Sequence, residues 1–181
     1  MESNLTIVVY AGGTCGDLIG GLIDPESAEV SGTTMLLDPG QQKLKKPHDF
    51  INDEQKDHYV KYVQFKSIVS HDIEYHKRKK HNFISIVVDD YKLAVWAATR
   101  FKKLHRPQVW EEMKLVGGAD NINEYAQLLI DYSSMVKNYA NHTINIKDII
   151  SGNAINHLNS FMSIPEESYI LYKKWLIANQ W

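Results

Sequence analysis

Leu5 to Tyr10 is a short, β-branched and almost wholly apolar run that ends abruptly at Gly12-Gly13. A strand wetted on one side alternates polar and apolar residues. A run without alternation implies a strand buried on both faces, as in parallel sheets covered by crossover helices. Leu18, Ile19, Leu22 and Ile23 then recur at helical spacing within Asp17 to Asp24, despite Gly20 and Gly21, and Pro25 closes the segment. The opening reads as strand, glycine turn, helix. A doubly buried strand cannot stand alone, so the rest of the chain must supply parallel neighbours and helices on each side.

Downstream segments meet that demand. Val60 to Val69 predicts a second strand with a slipped alternation, and Phe83 to Val88 a third, apolar throughout apart from Ser85. Asp89-Asp90 are placed to cap a helix over Tyr91 to His105, with Leu93, Trp96, Ala97, Phe101 and Leu104 on one stripe and Pro107 stopping it. Asn121-Ile122-Asn123-Glu124 resembles a capping box. Behind it, Ile122, Tyr125, Leu129, Tyr132, Val136 and Tyr139 predict about five helical turns, with Tyr125, Tyr132 and Tyr139 as packing residues. Thr143 to Ile146 predicts a short fourth strand, and two helices follow near Asn153 to Met162 and Glu166 to Asn179. Residues 25–58, broken by Pro25, Gly32, Pro39-Gly40 and Pro47, read as a long excursion with a short helix near Phe50 to His58, the kind that serves as a functional flap. The expectation is one α/β domain over residues 1–181, in three layers, with a mostly parallel sheet of about four strands.

Charge and cysteine content narrow the function classes. Twenty Lys and Arg against 22 Asp and Glu leave a net charge of −2, which argues against nucleic acid as the main partner. The basic run His76 to His81 reads as a solvated connection or a polyanion-facing patch. One cysteine, Cys15, allows neither a disulfide framework nor a Cys-based zinc site. Apolar stretches of only a few residues exclude a membrane span, and Met1-Glu2-Ser3-Asn4 lacks the charge pattern of a signal peptide. The expected location is the cytoplasm, or a host's if the Lys-, Ile- and Asn-rich chain comes from a phage. His71, His76 and His81, five residues apart, share no helix or strand face, so no metal site is expected from them. Asp89-Asp90 could instead hold magnesium.

Ala11-Gly12-Gly13-Thr14-Cys15-Gly16-Asp17 falls at the carboxyl end of the first strand, where open parallel sheets bind ligands. Glycines let backbone N–H groups approach an anion, and the start of the following helix adds about half a positive charge. Thr14 offers a hydroxyl, and Cys15 there would have a lowered pKa. Gly16 is followed by Asp17, not by the Lys and Ser or Thr of a nucleoside-triphosphatase loop. An anion-binding loop and a plain tight turn both fit.

Three pieces in this order resemble the sulfotransferase family. They are Thr6 to Ile23; Ile68-Val69-Ser70-His71 followed by Phe83 to Trp96; and Ile144 to Ile150 leading through Leu158 to Ile164 into Tyr172 to Asn179. The resemblance implies a group-transfer enzyme that takes 3′-phosphoadenosine 5′-phosphosulfate as donor and a hydroxyl compound as acceptor. It places the 5′-phosphosulfate over Gly12, Gly13, Thr14, Cys15, Gly16 and Asp17. Gly12 and Gly13 stand where the family carries loop cations, and its 3′-phosphate Arg and Ser fall at Val88 or Asp89 and near Trp96. Arg78, Lys92, Arg100 or Arg106 would have to supply the charge. His71, just past a strand end, is the expected general base. Two alternatives accompany this reading. One is a binding or structural protein that kept the fold without the chemistry and associates through its Trp- and Tyr-rich C-terminal helix. The other is a nucleotide kinase with an atypical loop.

Overall fold

The computed structural model describes residues 5–25, 66–71, 82–104 and 119–178. In chain order these form β1 (Thr6–Val9), α1 (Gly16–Ile23), β2 (Ser67–Ser70), β3 (Asn82–Val87), α2 (Tyr91–Leu104), α3 (Ile122–Val136), β4 (His142–Asn145), α4 (Ile146–Ile150), α5 (Ala154–Asn159) and α6 (Glu166–Ala178). The four strands make one sheet in the order β2-β1-β3-β4, parallel throughout, with Val8 opposite both Val69 and Ile84. The expected α/β sandwich is what forms.

Alternation along the strands sends successive side chains to opposite faces. Val8, Val69, Ile84, Ile86 and Ile144 join Leu18, Ile19 and Leu22 of α1 and Leu171, Tyr172 and Trp175 of α6 in one core. Leu5, Ile7, Val9, Ile68, Phe83 and Val87 meet Val136 and Tyr132 of α3 on the other side. Both faces being covered explains why β1 shows no polar alternation. A third cluster joins α2 to α3 through Ala94, Ala97, Phe101, Tyr125, Ala126 and Leu129. Asp24, just beyond α1, is buried and accepts from the amides of Lys66 (3.0 Å) and Ser67 (3.4 Å), which pins the start of β2 to the end of α1.

The helix expected through Tyr139 ends instead at Val136. The next amides, Asn138 and Tyr139, bond three residues back, to Met135 and Val136, in a tightened last turn. The chain must there swing into β4, where the Asn141 side chain accepts from the Phe83 amide at 2.8 Å. Tyr139 is therefore 47% exposed and lies outside the core, whereas Tyr125 is buried and Tyr132 half-buried. Ile146 opens α4 rather than closing β4, because the Asn145 side chain caps the helix there at 2.9 Å. Residues 26–58, 60–65 and 72–81, which carry the expected flap, the start of the second strand and the basic run with His76 and His81, lie outside the described residues. Among the described residues no helix is long and apolar enough to cross a membrane.

Tyr172 ties α6 to the edge of the domain. Its hydroxyl donates to the Ile149 carbonyl and accepts from the Ala154 amide at 3.2 Å. Burial, the main cause, lifts its pKa from 10.0 to about 12. A phenol whose pKa is raised by folding adds stability below pH 10.0 and loses it as the pH climbs toward 12. The thermal midpoint should accordingly fall across that window, and Tyr172→Phe should flatten the fall at the expense of lower stability at neutral pH. A melting series between pH 9 and 12 checks it; equal slopes for the two proteins would refute the assignment.

Candidate functional site

β1 lies inside the sheet, and the helices after β1 and β3 depart to opposite faces: α1 into the Val8 core, α2 toward α3. Divergence of that kind opens a crevice at the carboxyl ends of the two strands, the standard ligand position in open α/β sheets. Along this edge stand His71 after β2, Tyr10 and residues 11–17 after β1, Asp89 and Asp90 after β3, and Asn145 at the end of β4.

The glycine turn is closed from within. The Thr14 amide and hydroxyl both donate to the Ala11 carbonyl, at 3.2 and 2.7 Å. Gly13 has φ 91° and Cys15 φ 68°, so the chain reverses through two left-handed residues before α1 begins. The space over the glycines belongs to the protein itself. A Cβ on Gly12 would lie 2.5 Å from the Phe101 ring and 2.8 Å from the Tyr125 hydroxyl; one on Gly13 would lie 2.3 Å from the Ala97 carbonyl oxygen. On Gly16 it would lie 2.1 Å from the Tyr10 ring. The Tyr125 hydroxyl also donates to the Gly12 carbonyl at 3.1 Å, and burial keeps that phenol protonated by raising its pKa. Gly12 and Gly13 thus serve the packing of α2 and α3 on the turn, and Thr14 closes it. α1 begins directly after the turn: its first intrahelical bond is Ile19 to Cys15 at 3.2 Å, so the amides of residues 16–18 have no acceptor within the helix, Gly16 and Leu18 being buried and Asp17 half-buried.

Arg100 of α2 stands between two indoles. Its guanidinium lies 5.7 Å from the Trp96 ring centroid and 5.5 Å from that of Trp175 on α6, a position favourable for cation–π attraction. It also acts on Cys15. Burial pushes the Cys15 thiol up, Arg100 pulls it partly back, and Asp17 pushes it up again. The lowered thiol pKa expected at a helix start is not what the site produces, because desolvation outweighs the favourable charges. Of the four expected cations, Lys92 is exposed at the start of α2, and Arg78 and Arg106 lie outside the described residues.

Asp17 does not face the turn as a bare charge: it accepts from the Tyr10 hydroxyl at 3.0 Å. The Tyr10 ring in turn packs on His71, centroids 4.4 Å apart. His71 is exposed, and its Nδ1 lies 2.7 Å from the Tyr10 carbonyl oxygen. A carbonyl only accepts, so Nδ1 is the donor of this bond. Tyr10 is the residue that brings His71 and Asp17 to one place, and its position at the end of β1 gave no sign of that role.

The two carboxylates after β3 are engaged differently. Asp90 accepts from the amides of Lys92 and Leu93 at 2.8 and 3.1 Å, the helix cap. Asp89 accepts from the Asn145 Nδ2 at 2.8 Å, joining the ends of β3 and β4. Among the described residues no three His, Cys, Asp or Glu side chains gather as metal ligands.

Comparison with known proteins finds no match to any family model, curated protein or solved structure. Around the carboxyl edge of the sheet stand the start of α1, Arg100 of α2 between two indoles, and His71 hydrogen-bonded through its Nδ1.

Proposed function

We propose that the protein binds a phosphorylated adenosine ligand across the carboxyl edge of β1 and acts as a sulfotransferase-like group-transfer protein. The observation that carries the reading is Arg100, held over Trp96 and Trp175 and electrostatically coupled to Cys15 at the start of α1. It supplies the positive charge that the glycine turn lacks, in line with helix-start amides that favour an anion. With 3′-phosphoadenosine 5′-phosphosulfate as donor, the acceptor's hydroxyl oxygen attacks sulfur. The bond from sulfur to the donor's phosphate oxygen breaks, and adenosine 3′,5′-bisphosphate leaves. His71 Nε2 takes the acceptor's proton, and the exposure of the ring suits a bulky acceptor. Developing charge on the leaving phosphate falls to Arg100 and the amides of 16–18.

A second reading rests on Gly12, Gly13 and Gly16 being filled by Phe101, Tyr125, Ala97 and Tyr10. On it, the glycines exist for packing, and the chain is a binding or structural protein without the chemistry.

Calorimetric titration of the folded protein with adenosine 3′,5′-bisphosphate separates the two. The first reading expects saturable, salt-weakened heat with a dissociation constant in the micromolar range, about −8 kcal/mol. No heat at millimolar ligand sinks it and leaves the second. Magnesium-ATP binding in preference to the bisphosphate would overturn both in favour of a kinase.

A further inference from the structure

α6 presents two unlike faces. Ser168, Leu171, Tyr172 and Trp175 are buried, while Ile170 and Ile177 on the other side are 60% and 58% exposed. Glu166, Glu167, Lys173 and Lys174, all exposed, flank those isoleucines. At about 100° per residue, all six side chains lie within about 60° of Ile170 around the helix. The charges are ordered: acids in the first turn, bases one heptad later, on both flanks of the apolar seam. Seven residues is too far for the pairing of neighbours three or four apart that steadies single helices. Among the described residues none of the four makes an ion pair.

We propose that this face of α6 is the contact surface for a second copy of the chain, the two helices running antiparallel about a two-fold axis at Ile170. In that arrangement Ile170 meets Ile170, Glu166 of each copy faces Lys173 of the other, and Glu167 faces Lys174, since the two-fold axis keeps each flank of the helix on its own side. An isologous contact must be self-complementary, and this order of charges is. Parallel helices would set acid on acid and base on base. Another exposed apolar seam among the described residues, Leu128 and Met135 on α3, fails the same requirement, because Glu124 and Asp131 flank it and would repel their copies. A contact limited to one 13-residue helix per copy is smaller than the roughly 1,200 Å² of a standard stable interface. The dimer is accordingly weak, with a dissociation constant of about 10–100 µM, and weakens with salt.

Sedimentation equilibrium of the full chain from about 5 µM to about 500 µM tests the proposal. A monomer–dimer equilibrium is expected, and a monomer across that range overturns it. The exposed substitution Ile170→Glu should raise the dissociation constant at least about tenfold with no change in melting temperature. The double variants Lys173→Glu/Lys174→Glu and Glu166→Lys/Glu167→Lys carry like charges along the whole face. Each alone should stay monomeric, and an equimolar mixture should form the mixed dimer. Self-association of either variant at wild-type strength, or a mixture that stays monomeric while wild type dimerises, refutes the antiparallel pairing. Circular dichroism confirms that each variant is folded.

Discussion

Replacing Gly13 with alanine should destabilise the protein by about 3 kcal/mol, the sum of about 1 kcal/mol for backbone strain and about 2 kcal/mol for overpacking. The residue has φ 91°, which L side chains rarely adopt, and its added Cβ would lie 2.3 Å from the Ala97 carbonyl oxygen and 3.0 Å from the Phe101 Cβ. The obstacle is helix backbone, so no side-chain rotation relieves it. α2 must lift off the turn, and the cluster of Ala97, Phe101 and Tyr125 loosens with it. For a chain of this length the thermal midpoint should drop by about 10 °C. Gly152→Ala isolates the strain. Its φ is 87°, yet the nearest atom to its Cβ is the Leu176 Cδ1 at 3.5 Å, so only the conformational cost of about 1 kcal/mol applies. Urea or thermal melts of the two variants give the difference directly. Equal losses would mean that α2 does not rest on the turn and that the space over Gly13 is open.

That contrast shows what the sequence could and could not disclose. β1 and β3 were legible because burial on both faces leaves an apolar run no single-faced strand has. α2 and α3 were legible because Asp90 and Asn121 cap them through bonds to residues two and three positions on. Local signals also overreached: the seven-residue spacing of Tyr125, Tyr132 and Tyr139 continues past Val136, but the Phe83–Asn141 bond 58 residues apart requires the helix to stop. The glycine turn was visible and its use was not. A missing Cβ serves equally for approach by a ligand or by the protein's own helix, and the partners that decide, Phe101 and Tyr125, lie about 90 and 113 residues away. Asn145 reaching Asp89 over 56 residues left no local trace either. Arg100 stood among four candidate cations, and only the fold of α2 over the turn sets it apart.

Arg100→Ala should weaken adenosine 3′,5′-bisphosphate about 50- to 100-fold, the loss of about 2–3 kcal/mol expected when a charge-assisted bond to phosphate is removed. Arg100→Lys should cost about tenfold, because the charge survives while the planar fork and its contacts with Trp96 and Trp175 do not. Lys92→Ala, a change of equal charge at the exposed start of α2, should leave affinity within about twofold, since distant surface charge is screened. Identical losses for Arg100→Ala and Lys92→Ala would show a diffuse electrostatic effect and no site. Cys15 reports on the same arginine without any ligand. Arg100 lowers the thiol's pKa against the larger effect of burial, so its removal should raise that pKa further and slow alkylation of Cys15 at fixed pH. Slower alkylation with unchanged ligand affinity would place Arg100 beside the helix start and still deny it the phosphate. Unchanged alkylation together with unchanged affinity would remove it from the edge altogether.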